Sequence, residues 1–105
     1  MFGLLKSLFG STDNTQLIEA IKEGAFLIDV RTPAEFSGGS VKGATNIPLD
    51  RISTQLAKLK NKKSIVVFCR SGGRSSQAKT ILEQNGFKNI INGGTWNNVN
   101  DVVNE

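Results

Sequence analysis

The sequence has no histidine and one cysteine, and each shortage narrows what the chain does. Without histidine there is no Cys–His dyad, no Ser–His–Asp triad and no imidazole metal ligand. One cysteine, Cys69, cannot close a disulfide within the chain, so nothing calls for an oxidising compartment and a cytoplasmic location is expected. One thiol is too few for a zinc site, so neither a metal nor another cofactor is expected. No stretch approaches the roughly 18 consecutive apolar residues of a membrane span, so no transmembrane segment is expected. Repeats, low-complexity segments and linkers are also lacking. The 105 residues are read as a single domain, 1–105, with residues 1–12 as an N-terminal arm. That arm is apolar but has no basic n-region or full h-region, so it reads as a packing or flexible segment rather than a signal peptide.

What is present is ordinary for a globular protein, 38% hydrophobic and 21% charged. The net charge of +4 suits steering of small anions or acidic surfaces. Nucleic acid is not an expected partner: Lys58, Lys60, Lys62 and Lys63 cluster, but no aromatic residues interleave to stack bases.

Periodicity and punctuation divide the chain into alternating elements. Asp13 and Gln16 have capping-box spacing before Leu17, Ile18 and Ile21, and Gly24 closes that helix. A buried strand over residues 25–30 follows. Thr32, Pro33 and Glu35 then open a short helix, stopped by Gly38 and Gly39. Thr45, Asn46 and Ile47 suit a short strand, and Asp50 is read as the cap of a helix carrying Ile52, Leu56 and Leu59. A strand ending at Cys69 precedes a helix with Ala78, Ile81 and Leu82 on one face and Gly86 at its end. Residues 88–91 are read as the last strand, Gly93-Gly94 as a turn, and Trp96, Val99 and Val103 as one face of a final helix. This alternation predicts an α/β fold of three layers, with a mainly parallel central sheet of four or five strands and helices on both faces. Ligands of such sheets sit at the carboxyl ends of the strands, where Cys69 and residues 29–31 fall.

The segment that carries chemistry begins at Cys69. Alone, a cysteine at a strand end is more often an inert core residue than a catalyst. Here Arg70, Ser71, Gly72, Gly73, Arg74 and Ser75 follow it and lead into a helix. Glycines at 72 and 73 allow a tight turn whose N–H groups face the sulfur, and a helix N-terminus favours the thiolate, which is the nucleophile. Arg74 at the helix start is expected to hold the loop by folding back on its carbonyls or on Asp29. Arg70 is expected to face solvent and meet an incoming anion. Ser75 is placed to hydrogen-bond a thiolate or cap the helix. By themselves, Asp29 and Arg31 read equally as charges at the solvated end of a strand.

The run from Cys69 to Ser75 resembles the active-site loop of the rhodanese (thiosulfate sulfurtransferase) family. Residues 29–36, Asp-Val-Arg-Thr-Pro-Ala-Glu-Phe, are similar to that family's first signature. Residues 39–48 continue it, and Gly93-Gly94 before Trp96 resembles the stretch after the last strand. The resemblance implies a small rhodanese-like domain in which Cys69 becomes a persulfide and passes its sulfur on. A small anionic sulfur donor and a thiol or protein-thiol acceptor are the implied partners. Residues 70–75 would bind substrate. Asp29, Arg31 and Glu35 would support the site, with Arg31 reaching Glu35 or a loop carbonyl. Trp96 is read as core or pocket rim. Two departures stand out: Ser40 occupies the family's usual histidine position, and the polar run 11–14 lies where its first strand belongs. The rival readings are a non-catalytic rhodanese-fold binding or sulfur-relay module and a cysteine phosphatase. Phosphatase loops normally place five residues between Cys and Arg, whereas four separate Cys69 from Arg74.

Overall fold

A computed structural model describes residues 14–105; the expected N-terminal arm and the Asp13 cap lie outside the described residues. Four strands, β1 (Phe26–Asp29), β2 (Thr45–Asn46), β3 (Ile65–Cys69) and β4 (Ile90–Thr95), pair in the order β2-β1-β3-β4, and every pairing is parallel. Helices α1 (Thr15–Lys22), α2 (Pro33–Ser37), α3 (Leu56–Leu59), α4 (Gly73–Gln84) and α5 (Trp96–Val103) connect or flank them. The result is the α/β sheet with helices on its faces that the alternation predicts. Among the described residues, no helix is long and apolar enough to cross a membrane.

Strand alternation sorts the core into two layers. From β3, Ile65, Val67 and Cys69 point to one face, where they meet Ala78 and Leu82 of α4 together with Ile52 and Leu59. Val66 and Phe68 point to the other, against Leu17 and Ala20 of α1 and Val99 and Val102 of α5. All five β3 residues are buried, which accounts for their near-continuous apolar character. The register also sets the site. Asp29 pairs with Phe68, so its side chain leaves the sheet on the face opposite to that of Cys69.

Local chemistry explains the element ends. Thr32 and Glu35 form a full capping box with Pro33 inside the start of α2. Both α1 and α4 close on a left-handed glycine, where Ala25 N–H reaches Ala20 O (2.9 Å) and Phe87 N–H reaches Leu82 O (3.0 Å).

Two expectations need correction. Asp50 caps nothing: Pro48 precedes a 3₁₀ helix, Leu49–Thr54, and Asp50 lies exposed within it, separate from α3. Winding at three residues per turn stacks Leu49 and Ile52 toward the core. Nor do Gly93 and Gly94 make a terminal turn. Asn89 has φ +60°, so β4 starts only at Ile90, and it runs through both glycines to Thr95. Val67 opposes Asn92 and Phe68 opposes Gly94, leaving Gly93 as the extra residue of a bulge. A Cβ on Gly93 would lie 2.5 Å from Val99 Cγ2 and 3.1 Å from Val66 Cγ1, so only glycine allows α5 this close to the sheet.

Candidate active site

Cys69 ends β3 fully buried, and the chain after it runs through exposed Arg70 and Ser71 to Gly72. Gly72 has φ +97°, a conformation that turns its N–H back to the sulfur at 2.9 Å. Gly72 is the N-cap residue of α4 and has no side chain to accept the orphan N–H groups of the first turn. The sulfur takes that place: the N–H of Ser75, third residue of α4, points to Sγ at 3.4 Å. The Cys69 thiol lies 3.4 Å from Ser75 Oγ. Burial pushes the Cys69 thiol up, but hydrogen bonding from the Ser75 side chain and from the N–H groups of Ser75, Gly72 and Ser71 outweighs it, and the thiol lies below its ordinary value. Gly73 needs no special backbone and simply opens α4.

The flanking charges pair only in part as expected: Arg31 reaches a loop carbonyl, that of Gly39, but Arg74 takes a different partner. Arg74 does not fold onto loop carbonyls or Asp29. Its Nη1 and Nη2 donate to Oε1 (2.7 Å) and Oε2 (3.0 Å) of Glu35, across from α4 to the start of α2. Glu35 is pulled down to about 2, first by the Arg74 hydrogen bond and then by the Thr32 N–H, while Arg74 is raised in return. Arg31 accordingly does not reach Glu35. It pairs with Asp29, Nε to both carboxylate oxygens (2.9 and 3.0 Å) and Nη2 to Oδ2 (2.7 Å), and Nη2 also donates to the carbonyl of Gly39 (2.6 Å). Both members are buried, on the sheet face away from the sulfur. They are not charges at a solvated strand end. The Trp96 ring stacks on the Arg31 guanidinium at 5.3 Å and packs against the α1–α5 layer. Among the described residues, no group of three or more Cys, Asp or Glu side chains is placed to hold a metal ion.

Similarity to known proteins agrees with this arrangement. The sequence model of the rhodanese-like domain matches residues 13–96. The chain belongs to the rhodanese-like domain family. A protein of Allochromatium vinosum named a sulfurtransferase is 36% identical over 70 residues, covering 67% of this chain and 65% of that protein. The thiosulfate sulfurtransferase PspE of Escherichia coli is 38% identical over 69 residues, covering 64% of this chain and 66% of that protein. The matched stretch thus covers less than two thirds of either relative's length. A solved rhodanese from E. coli, with anions, superposes with a TM-score of 0.66 at 34% identity, over 71% of this chain and 91% of that one.

Within this rhodanese-like domain, three side chains contribute that the sequence reading gave no role at the site. Ser40, at the family's usual histidine position, donates its hydroxyl to Asp29 Oδ2 at 2.7 Å. The Nδ2 of Asn46 bridges the carbonyls of Asp29 and Arg31, 2.9 Å from each. Asn92 Oδ1 accepts from Ser75 Oγ at 2.7 Å and from Gly94 N–H at 2.9 Å. Asn92 carried one visible signal, a polar side chain between an apolar strand and a glycine pair.

Proposed function

We propose that this rhodanese-like domain is a sulfurtransferase that moves sulfane sulfur from thiosulfate or a similar anionic donor to a thiophilic acceptor through a persulfide on Cys69. The observation that carries the proposal is the seat of the sulfur, which takes hydrogen bonds from N–H groups of a loop and of a helix start. The names of the A. vinosum and E. coli relatives support it.

In the first half-reaction the Cys69 thiolate attacks the outer sulfur of thiosulfate. A new S–S bond forms, the original S–S bond breaks, and sulfite departs with the bonding pair. Sulfite needs no proton to leave, so no general acid is required. The persulfide anion carries its charge on the outer sulfur, where the N–H groups of residues 71–75 stabilise it. An acceptor then attacks that sulfur; with cyanide the product is thiocyanate and the thiolate is restored. Exposed Arg70 meets the incoming anion, Ser71 through Ser75 form the cradle, and Asp29, Arg31 and Glu35 support it. A thiol kept ready for this work fits a reducing, cytoplasmic setting.

A phosphatase reading is less well supported. Arg74 gives both arms to Glu35, which leaves no free fork to clamp phosphoryl oxygens. The test is mass spectrometry after incubation with thiosulfate. One sulfur atom added to Cys69, discharged by cyanide and absent in Cys69→Ala, is expected. An unloaded Cys69 together with hydrolysis of an aryl phosphate would reverse the assignment.

A further inference from the structure

We propose that Asn92 is a positioning residue of this site: its side-chain oxygen holds the hydroxyl hydrogen of Ser75 away from the sulfur, and formation of the thiolate turns that hydrogen from Asn92 to Cys69. The inference rests on Cys69 being the reacting thiol of the function proposed above.

Counting hydrogens fixes the resting arrangement. Ser75 is fully buried, and its Oγ lies 2.7 Å from Asn92 Oδ1, 3.1 Å from Gly72 O and 3.4 Å from Cys69 Sγ. It has one hydrogen to give. The Asn92 atom in this contact must be the oxygen, because the Gly94 N–H points at the same atom from 2.9 Å. Ser75 therefore donates along the shortest of its three contacts, to Asn92, and turns a lone pair toward the sulfur. A protonated thiol suits that lone pair and donates to it. A thiolate does not, since it would face a lone pair instead of a hydrogen.

When Cys69 loses its proton to water, the Ser75 hydrogen swings to the sulfur, and Asn92 Oδ1 keeps only its bond from Gly94. Once the persulfide forms, Sγ is a neutral divalent sulfur and the charge sits one atom further out. The hydroxyl then returns to Asn92, and the N–H groups hold the outer sulfur. One hydroxyl thus follows the charge through the cycle, and the strength of its tether to Asn92 sets how readily the thiolate appears.

The charged groups around the sulfur are few. Arg74 of α4 feels both Cys69 and Asp29 and is tied to Glu35 of α2. Asp29, at the end of β1, is closed by Arg31. Arg70 of the loop is exposed. The strand bearing Asn92, Ile90–Thr95, has no titratable side chain, and α5 contributes only the exposed Asp101. Asn92→Leu therefore removes the acceptor, keeps the number and branching of side-chain heavy atoms, and leaves the charge unaltered.

The test is the rate of Cys69 alkylation by iodoacetamide against pH, in the full chain, for the wild type, Asn92→Leu, Ser75→Ala and the double variant. Asn92→Leu is expected to lower the midpoint by about half to one pH unit, and Ser75→Ala to raise it. In the Ser75→Ala background Asn92→Leu should shift nothing, because no hydroxyl remains to be released. A folded Asn92→Leu with an unmoved midpoint, or an equal shift in both backgrounds, overturns the proposal. Should the orphaned Gly94 N–H prevent folding of the leucine variant, Asn92→Asp keeps an acceptor for both donors and grips the hydroxyl harder. It should raise the midpoint, and by less when Ser75 is alanine; an equal rise in both backgrounds overturns the role. Alkylation reads the thiolate without needing sulfur transfer. Absence of thiosulfate loading with the coupling intact would therefore count against the proposed function and not against Asn92.

Discussion

Arg74 and Glu35 are joined by two parallel hydrogen bonds of 2.7 and 3.0 Å, and Glu35 Oε1 accepts in addition from the N–H (3.0 Å) and hydroxyl (3.1 Å) of Thr32. The carboxylate that caps α2 is therefore the one that fixes the first turn of α4, whose Ser75 N–H points to the sulfur. A helix cap and the shape of a reactive loop share one side chain.

This sharing gives the pair a defined pH signature. Glu35 titrates at about 2 in the fold against an ordinary 4.5. A carboxylate depressed in this way stabilises the fold fully above its unfolded value and ceases to do so as pH falls through the folded one. The difference in thermal midpoint between wild type and Glu35→Gln should be constant from neutral pH down to about 4.5 and close as pH approaches 2. The side chains are about one third exposed, so the difference should be modest. A gap that widens in acid would contradict the assignment.

The two loop arginines should fail in different ways. Among the described residues Arg70 forms no hydrogen bond or ion pair, and it is exposed, so Arg70→Ala should raise KM for thiosulfate by about threefold to tenfold with a small loss of kcat. Arg74→Ala leaves Glu35 without its fork and loosens the first turn of α4. It should lower kcat and the thermal midpoint together. Steady-state kinetics beside a melting curve separates the two, and similar behaviour of both variants would end this division of labour.

What could be read from the sequence was local. Thr32, Pro33 and Glu35 announce a helix start because a capping box needs only neighbours, and residues 65–69 announce a buried strand by unbroken apolarity. The cradle around Cys69 was legible for the same reason, since strand, glycine turn and helix are consecutive. Partners distant in sequence were not. Arg74 and Glu35 lie 39 residues apart, and Ser75 and Asn92 lie 17 apart. Nothing in a local pattern decides which of two arginines takes which of two carboxylates; strand register does, by sending Asp29 and Cys69 to opposite faces of the sheet. The bulge at Gly93 was misread as a turn because a glycine pair signals both.

The loop glycines should separate cleanly. Gly72 holds φ +97°, so a side chain there is strained even though the nearest heavy atom to its Cβ would be Gly94 Cα at 3.9 Å. Gly72→Ala should cost about 1–2 kcal/mol and displace the N–H that lies 2.9 Å from the sulfur, slowing Cys69 alkylation at neutral pH. Gly73 opens α4 with ordinary dihedrals and open space around its Cβ position. Gly73→Ala should melt at or slightly above the wild-type temperature with the alkylation profile unchanged, because alanine favours the helix by about 1 kcal/mol. Equal damage from both substitutions would show that close packing, and not backbone conformation, explains the pair.

The buried cluster on the opposite face offers the sharpest stability test. Asp29 is wholly inaccessible, and its carboxylate takes hydrogen bonds from the Arg31 N–H (3.0 Å), the Arg31 Nε and Nη2, and the Ser40 hydroxyl (2.7 Å). Removing Arg31 leaves a buried carboxylate without its counter-charge, so Arg31→Ala should cost about 3–5 kcal/mol. Ser40→Ala removes one donor of several and should cost about 1–3 kcal/mol. Ser40→His, which installs the residue usual in the family, should replace the lost donor and add a dependence that the present chain lacks. An imidazolium beside Asp29 has its proton affinity raised. Its contribution would be complete below the free histidine value of about 6.5 and lost as pH rises through the folded value. Chemical denaturation of the three variants across pH 5–9 checks both statements. The reading fails if Ser40→Ala costs as much as Arg31→Ala, or if the stability of Ser40→His relative to the present chain does not change with pH.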